Sequence, residues 1–331
     1  MASPVGYITN FIGKDLVVNL PKLSAGQKKD LALIDGSPSG EIQFPHFSVF
    51  LSKSRKFPIF TATNINGGLF KPITRKSIFP GGKDVWKVDL RAKDFQWEDD
   101  LYIKAKKSDF DRGHMTKRED PQWGTKTEAF NAAKSTFHYC NCAPQLADLN
   151  QKEWKLLEDY ILDKESVPDK LFINVFTGPV LRPEDPIFVT RVNDTDVLLP
   201  TLFWKVIYYT NDGKKLNKVG FLMGQDGLLK KRGIVRPQAA PAPPFAKLAS
   251  TAKEHFNEFQ DAQTYQVSMA TIEQLTGIKF PSAKEPYKDP RPVPLVIKMV
   301  DLKEDAPQAV SGSGARPLHG SNYRYSGIVL R

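Results

Sequence analysis

Residues 110–158 constrain this chain more than any other stretch: FDRGHMTKREDPQWG is followed, from Phe137, by FHYCNCAPQLADLNQKEWKLLE. Arg112 and His114 flank Gly113, whose backbone freedom is expected to turn the chain sharply and bring a base and a cation to one spot. A lone histidine would more often be a satisfied structural residue, but Asn141, Asn150 and Glu158 follow in order. Trp154, Leu157 and Ile161 recur at helical spacing, which predicts a helix opened by Asn150. Along such a helix Glu158 lies two turns further on, roughly 12 Å at ~1.5 Å per residue and on nearly the same stripe. Both can serve one ion only if it keeps most of its water, as Mg²⁺ does. Asn150 would then be an inner-sphere amide ligand, and Glu158 would grip a metal-bound water. A general base, an amide ligand, a water-holding carboxylate and a nearby arginine suit phosphodiester hydrolysis.

The pattern DRGHM, then N-x-APQ, then LNQ-x-x-W-x-x-LE resembles the non-specific DNA/RNA endonucleases of the ββα-metal class, the family that includes endonuclease G. The resemblance extends to HFSVFLSKSRKFPIFTATNING from His46, FTGPVL from Phe176, PTLFWKVI from Pro200 and VSMATIEQLTGIKF from Val267, and so spans roughly residues 40–281. It implies an α+β fold of the ββα-metal (His-Me finger) type, with a central, mostly antiparallel sheet flanked by helices. It also implies metal-dependent cleavage of DNA and RNA that leaves 5′-phosphate ends, with Mg²⁺ as cofactor and Mn²⁺ as a substitute. His114 would be the general base, so activity is expected to rise with pH through a group near ~6.5. Arg112 or Arg91 would stabilise the phosphorane, with Arg75 as the alternative to Arg91. Asn141 would fix the loop or the histidine, and Asp111 would orient His114. Relatives often carry an arginine one turn after the glutamate, where this chain has Leu162, so that phosphate contact is either missing or supplied by another cation such as Lys155 or Lys164.

Composition agrees with a polyanionic partner: the 331 residues carry a formal net charge of +10, and phosphate neutralisation drives sequence-independent nucleic-acid binding. The run Lys104, Lys106 and Lys107 is placed to guide phosphate, or else is a solvated face. No apolar run approaches the ~20 residues needed to span a membrane. The opening MASPVGYITNFIGKD lacks a basic region followed by an apolar core. The expectation is a cytoplasmic protein, with leaderless export open and no membrane partner. Cys140 and Cys142, two apart, are poorly placed to bridge each other and read as structural thiols of a reducing compartment.

In chain order, an N-terminal arm (1–40) with a short amphipathic piece near Leu31–Ile34 precedes a nuclease domain (41–281) and an extended tail (282–331). Strands are expected at His46–Leu51, Ile59–Thr63, Val85–Leu90, Leu171–Thr177, Phe203–Tyr209, Val219–Met223 and Tyr265–Ser268. Asn64–Gly68 reads as a turn, Phe245–Phe259 as a helix, and Ile272–Leu275 as a short helix ending at Gly277. His46, placed before a strand of core-like residues, reads as structural. Besides DNA and RNA, the expected partners are a second copy in a homodimer and an inhibitory or activating protein. Two other functions fit the same residues: a catalytically silent nucleic-acid or protein binder, and a regulated toxin or defence effector.

Overall fold

The computed structural model describes residues 5–34, 37–147, 149, 154–236, 238, 263–299 and 323–326. Segments such as FSVFL, PIFTATNIN and LFWKVIYY are rich in β-branched and aromatic residues with little polar alternation, a composition suited to strands covered on both faces. The first strands are β1 (Ile42–Phe44), β2 (Phe47–Leu51) and β3 (Pro58–Asn66). A separate antiparallel pair follows, β4 (Asp111–His114) and β5 (Cys142–Gln145). Then come β6 (Phe172–Pro179), β7 (Ile187–Phe188), β8 (Leu202–Tyr209), β9 (Asn217–Gly224), β10 (Val235–Arg236), β11 (Thr264–Val267) and β12 (Val293–Pro294). The main sheet runs β1-β2-β3-β6-β8-β9-β11-β12, and its pairings are antiparallel throughout. The fold is α+β.

Period-two alternation divides the sheet residues between two cores. On β8, Leu202, Trp204, Val206 and Tyr208 face one core, which also takes Tyr7 and Val18 of the N-terminal segment and the helix Met269–Thr276. Phe203, Ile207 and Tyr209 face the other core, together with Cys142 and Ala143 of β5 and Leu157, Ile161 and Leu162. Lys205 shares the parity of this second set, so a buried cation stands among its apolar residues. Helix α1 (Ala25–Asp30) lies in the N-terminal segment and carries a capping box from Ser24 and Gln27. The short α2 (Arg75–Ile78) is capped by Thr74. Helix α3 (Lys126–Ser135), capped by Thr125 and Glu128, spans the connection between β4 and β5. Helix α4 (Trp154–Asp159) follows β5 and continues into a widened helical turn over Tyr160–Ser166.

Several expected elements differ. Val85–Leu90 is no strand: it is an extended loop bridged to His138 through Lys87, and it ends in a 3-10 turn from Leu90. The expected turn at Asn64–Gly68 begins later, because β3 continues to Asn66 through pairing with β6. Strand β6 likewise passes through Gly178 to Pro179. The N-terminal helix is Ala25–Asp30, while Leu31 and Ile34 form isolated bridges to Ser52 and Ser37. Past residue 282 the chain is not simply extended, since Val293 and Pro294 add a strand to the main sheet. The expected helix Phe245–Phe259 lies outside the described residues. Among the described residues, no helix is long and apolar enough to cross a membrane.

Candidate active site

The pair β4–β5 followed by α4 forms a β-β-α unit in chain order. Its register sets Asp111 opposite Gln145, Arg112 opposite Pro144, Gly113 opposite Ala143 and His114 opposite Cys142. Gly113 therefore lies within a strand and makes no turn. A Cβ there would sit 2.0 Å from the Gln145 Oε1 atom, so the position needs glycine for close approach rather than for a bend. Residues two apart on a strand share a face, and residues three apart do not. Arg112 and His114 accordingly both meet Trp86: its ring lies 4.7 Å from the His114 ring and 5.7 Å from the Arg112 guanidinium carbon. Asp111, three residues from His114, alternates to the other face of the strand.

His114 is wedged between Trp86 and Phe137, the latter edge-on at 4.9 Å. Its Nε2 atom is sealed from solvent and has no hydrogen-bond partner. Burial, reinforced by the charges of Arg75 and Arg118, lowers its pKa to about 3. The imidazole is thus neutral well below the ordinary histidine range, and the expected inflection near ~6.5 does not follow from this site. Arg112 donates to Asp99 at 2.8 Å and lies over the rings of Tyr102 and Tyr139 as well as Trp86. The Tyr139 hydroxyl donates to the same Asp99 oxygen. The Arg112 Nε atom and both polar atoms of the Gln145 amide are also buried without partners.

Asn141 is committed to the backbone. Its Oδ1 accepts from Thr116 N–H at 3.0 Å, and its Nδ2 donates to the carbonyls of Thr116 at 3.0 Å and Thr136 at 2.9 Å. These bonds tie the chain leaving β4 to the chain entering β5. Arg91 turns to Asp89 at 2.6 Å and covers the Phe44 ring. Arg75, whose charge acts on His114, is the better placed of the two alternatives; it pairs with Asp84 at 2.8 Å.

Glu158 is buried on α4, and its Oε1 accepts from the Lys205 ammonium at 3.2 Å. Asp120 and Lys117 lie within electrostatic reach. Burial raises the pKa of Glu158, against the pull of Lys205 and Lys117. Asp120 is pushed up to about 7, chiefly by burial, with Glu158 adding to the rise. Next along the helix, Asp159 is held by Lys117 and Lys155, both at 2.5 Å. Lys155 is thereby occupied, Leu162 is fully buried, and the side chain of Lys164 lies outside the described residues. Asn150 also lies outside them, so the structure gives no position for the expected inner-sphere ligand. Lys104 pairs with Asp100 at 2.8 Å, while Lys106 and Lys107 are exposed. His46, at φ 70°, stacks on Trp123 at 3.4 Å and bonds the Pro121 carbonyl through Nδ1. Cys140 and Cys142 are free and buried.

The profile of the DNA/RNA non-specific endonucleases matches residues 32–286. The chain belongs to this family. A Sinorhizobium fredii relative, the uncharacterized protein y4fB, is 31% identical over 286 residues, or 83% of this chain and 38% of its own length. Human mitochondrial endonuclease G is 28% identical over 148 residues, or 41% of this chain and 48% of its own. The chain thus spans less than half the length of these relatives. The solved structure of an EndoG/EndoGI complex aligns over 72% of this chain and 84% of its own, at 19% identity and a TM-score of 0.49.

Sequence reasoning missed Trp86, Asp99, Arg118, Asp120 and Lys205, and also Lys117 as a partner of the α4 carboxylates. Lys117, Arg118 and Asp120 stand in the motif stretch itself, in MTKRED, where nothing local separates a buried charge from a solvated one. Trp86 was hidden in a segment that alternates like a strand.

Proposed function

We propose that this protein is a cation-dependent endonuclease that hydrolyses phosphodiester bonds of DNA and RNA with little sequence preference and leaves 5′-phosphate ends. The observation that carries this reading is the pair of buried, unpartnered polar atoms at one end of a hairpin, His114 Nε2 and Arg112 Nε. Such atoms cost ~1–3 kcal/mol each, and native proteins retain them where a ligand or substrate completes the bonding. His114 is neutral but a weak base while Nε2 is sealed, so it would take a proton from a water attacking phosphorus only once bound phosphate and that water reach Nε2 and the phosphate charge raises its basicity. Arg112, fixed by Asp99 and three aromatic rings, and Arg75 would place positive charge where the phosphorane develops. The net charge of +10 suits a polyanionic substrate.

The donor set fits a hard cation. Glu158 offers oxygen, with about four acceptor sites on a carboxylate and one of them taken by Lys205, and Asn150 would add an amide oxygen. Burial raises the thiol pKa values of Cys140 and Cys142 and so disfavours the thiolates that softer metals select. Among the described residues, no three His, Cys, Asp or Glu side chains converge as a metal cage, so a cation held here would keep most of its water, as Mg²⁺ does. When bound, it would supply positive charge to the scissile phosphate and leaving oxygen. Glu158 would orient water from its place on α4.

The test is incubation of supercoiled plasmid and of single-stranded RNA with the protein, in Mg²⁺ or Mn²⁺ and in EDTA. Nicks in both substrates, abolished by EDTA and carrying ends that accept a label only after phosphatase treatment, support the reading. Intact substrates under every cation refute it. A homodimer is part of the proposal, and a monomeric solution mass would remove it.

A further inference from the structure

Lys205 stands in the middle of the main sheet and is 1% exposed. It is directly opposite Thr177 in the β6–β8 register. Its ammonium donates to Thr177 Oγ1 at 3.1 Å and to Glu158 Oε1 at 3.2 Å. The groups that face it come from three elements: Thr177 from β6, Glu158 from α4, and Asp120 from the segment after β4, where Lys117 stands as the second cation. A buried lysine is costly unless paired, and the long stem of Lys205 reaches out of an otherwise apolar strand to the one carboxylate of α4 assigned to the site. We propose that Lys205 is the positioning residue for Glu158, fixing the carboxylate against the rigid sheet and supplying the positive charge that balances the Glu158–Asp120 pair when no divalent cation is bound.

The proposal rests on the functional reading only in giving Glu158 a role at the site. Two consequences follow from charge and geometry. Without the ammonium, Lys117, already paired with Asp159, is left as the cation facing both carboxylates, and a divalent cation becomes the substitute counter-charge. Without the tether to β6 and β8, Glu158 loses its fixed direction, which affects turnover and leaves substrate affinity alone.

The test uses the full chain with Lys205→Met, Lys205→Arg and Thr177→Val. Thermal midpoints are read in EDTA and in saturating Mg²⁺, and kcat and KM are read on a short duplex. Lys205→Met should lower the midpoint in EDTA and recover more of it on Mg²⁺ addition than the wild type gains. Its kcat should fall ~10- to 100-fold, the range for groups that orient a metal-site residue, with KM nearly unchanged, and Lys205→Arg should restore most of the loss. Equal midpoint losses in EDTA and Mg²⁺, or an unchanged kcat, would overturn the proposal. If Lys205→Met does not fold, Thr177→Val decides: a several-fold drop in kcat at unchanged KM and midpoint supports it, and an unchanged kcat overturns it. If the wild type cuts no nucleic acid, the functional reading fails by itself. The Lys205–Glu158 coupling is then judged by a double-mutant cycle on stability with Glu158→Gln, where additivity would overturn the proposal and non-additivity would support it.

Discussion

Acidification from about pH 7 to about pH 4 should cost this protein stability through His114 by itself. Its pKa is lowered from 6.5 to about 3 in the fold, so between those values the unfolded chain binds a proton that the native state refuses. The stabilisation is complete above the unfolded value and is lost as pH falls through the window. At ~1.36 kcal/mol per unit, the interval from 6.5 to about 4 corresponds to roughly 3 kcal/mol, an upper figure because the residue keeps some solvent contact. Other groups titrate over the same range, notably Glu158 and Asp120, so the quantity to measure is a difference. Urea unfolding of wild type and His114→Gln at both pH values isolates it. The wild type should lose ~3 kcal/mol more than the variant on acidification. Equal losses would show that His114 protonates as an ordinary histidine and that the Trp86–Phe137 slot does not desolvate it. The same reasoning predicts that wild-type activity shows no inflection assignable to His114 near 6.5.

Replacing Asn141 with Ala removes three bonds to buried backbone groups and should destabilise by ~2–4 kcal/mol in chemical denaturation; a loss within the error of a surface substitution would show that the loop holds itself. Gly113→Ala should lower stability and activity together because its Cβ meets Gln145, and adding Gln145→Ala should recover stability; no recovery would mean that the strand conformation itself, rather than the contact, requires glycine. Neutralising Lys106 and Lys107 should flatten the salt dependence of DNA binding by up to ~1 unit of slope per lost phosphate contact, and an unchanged slope would mark them as solvated surface.

Local spacing carried the relative placement of some candidate residues. Arg112 and His114 share a strand face, and Leu157 and Ile161 bury the stripe that presents Glu158, so residues close in sequence carried their own geometry. The reason for Gly113 was not legible, because the Gln145 side chain that excludes a Cβ arrives from the facing strand. Lys205 was hidden for a similar reason: within LFWKVIYY it reads as the solvent side of a strand, whereas cores cover both faces and Glu158 comes from 47 residues away. Val85–Leu90 alternates like a strand, yet its backbone is held by the bonds of Lys87 to Phe137 and Tyr139. That loop supplies Trp86, the ring that meets both Arg112 and His114. Arg91 reads as a phosphate ligand only until Asp89, two residues earlier, is seen to hold its guanidinium.

The central claim is that a neutral His114 on the β4–β5 hairpin acts as the base in cation-dependent strand cleavage. It is tested most directly by plasmid nicking with wild type and His114→Ala, each in Mg²⁺ and in EDTA, with DNA binding measured alongside. The account predicts a ~10²- to 10⁴-fold loss of rate in the variant, with fold and DNA affinity nearly intact. A His114→Ala protein that nicks at the wild-type rate would contradict it.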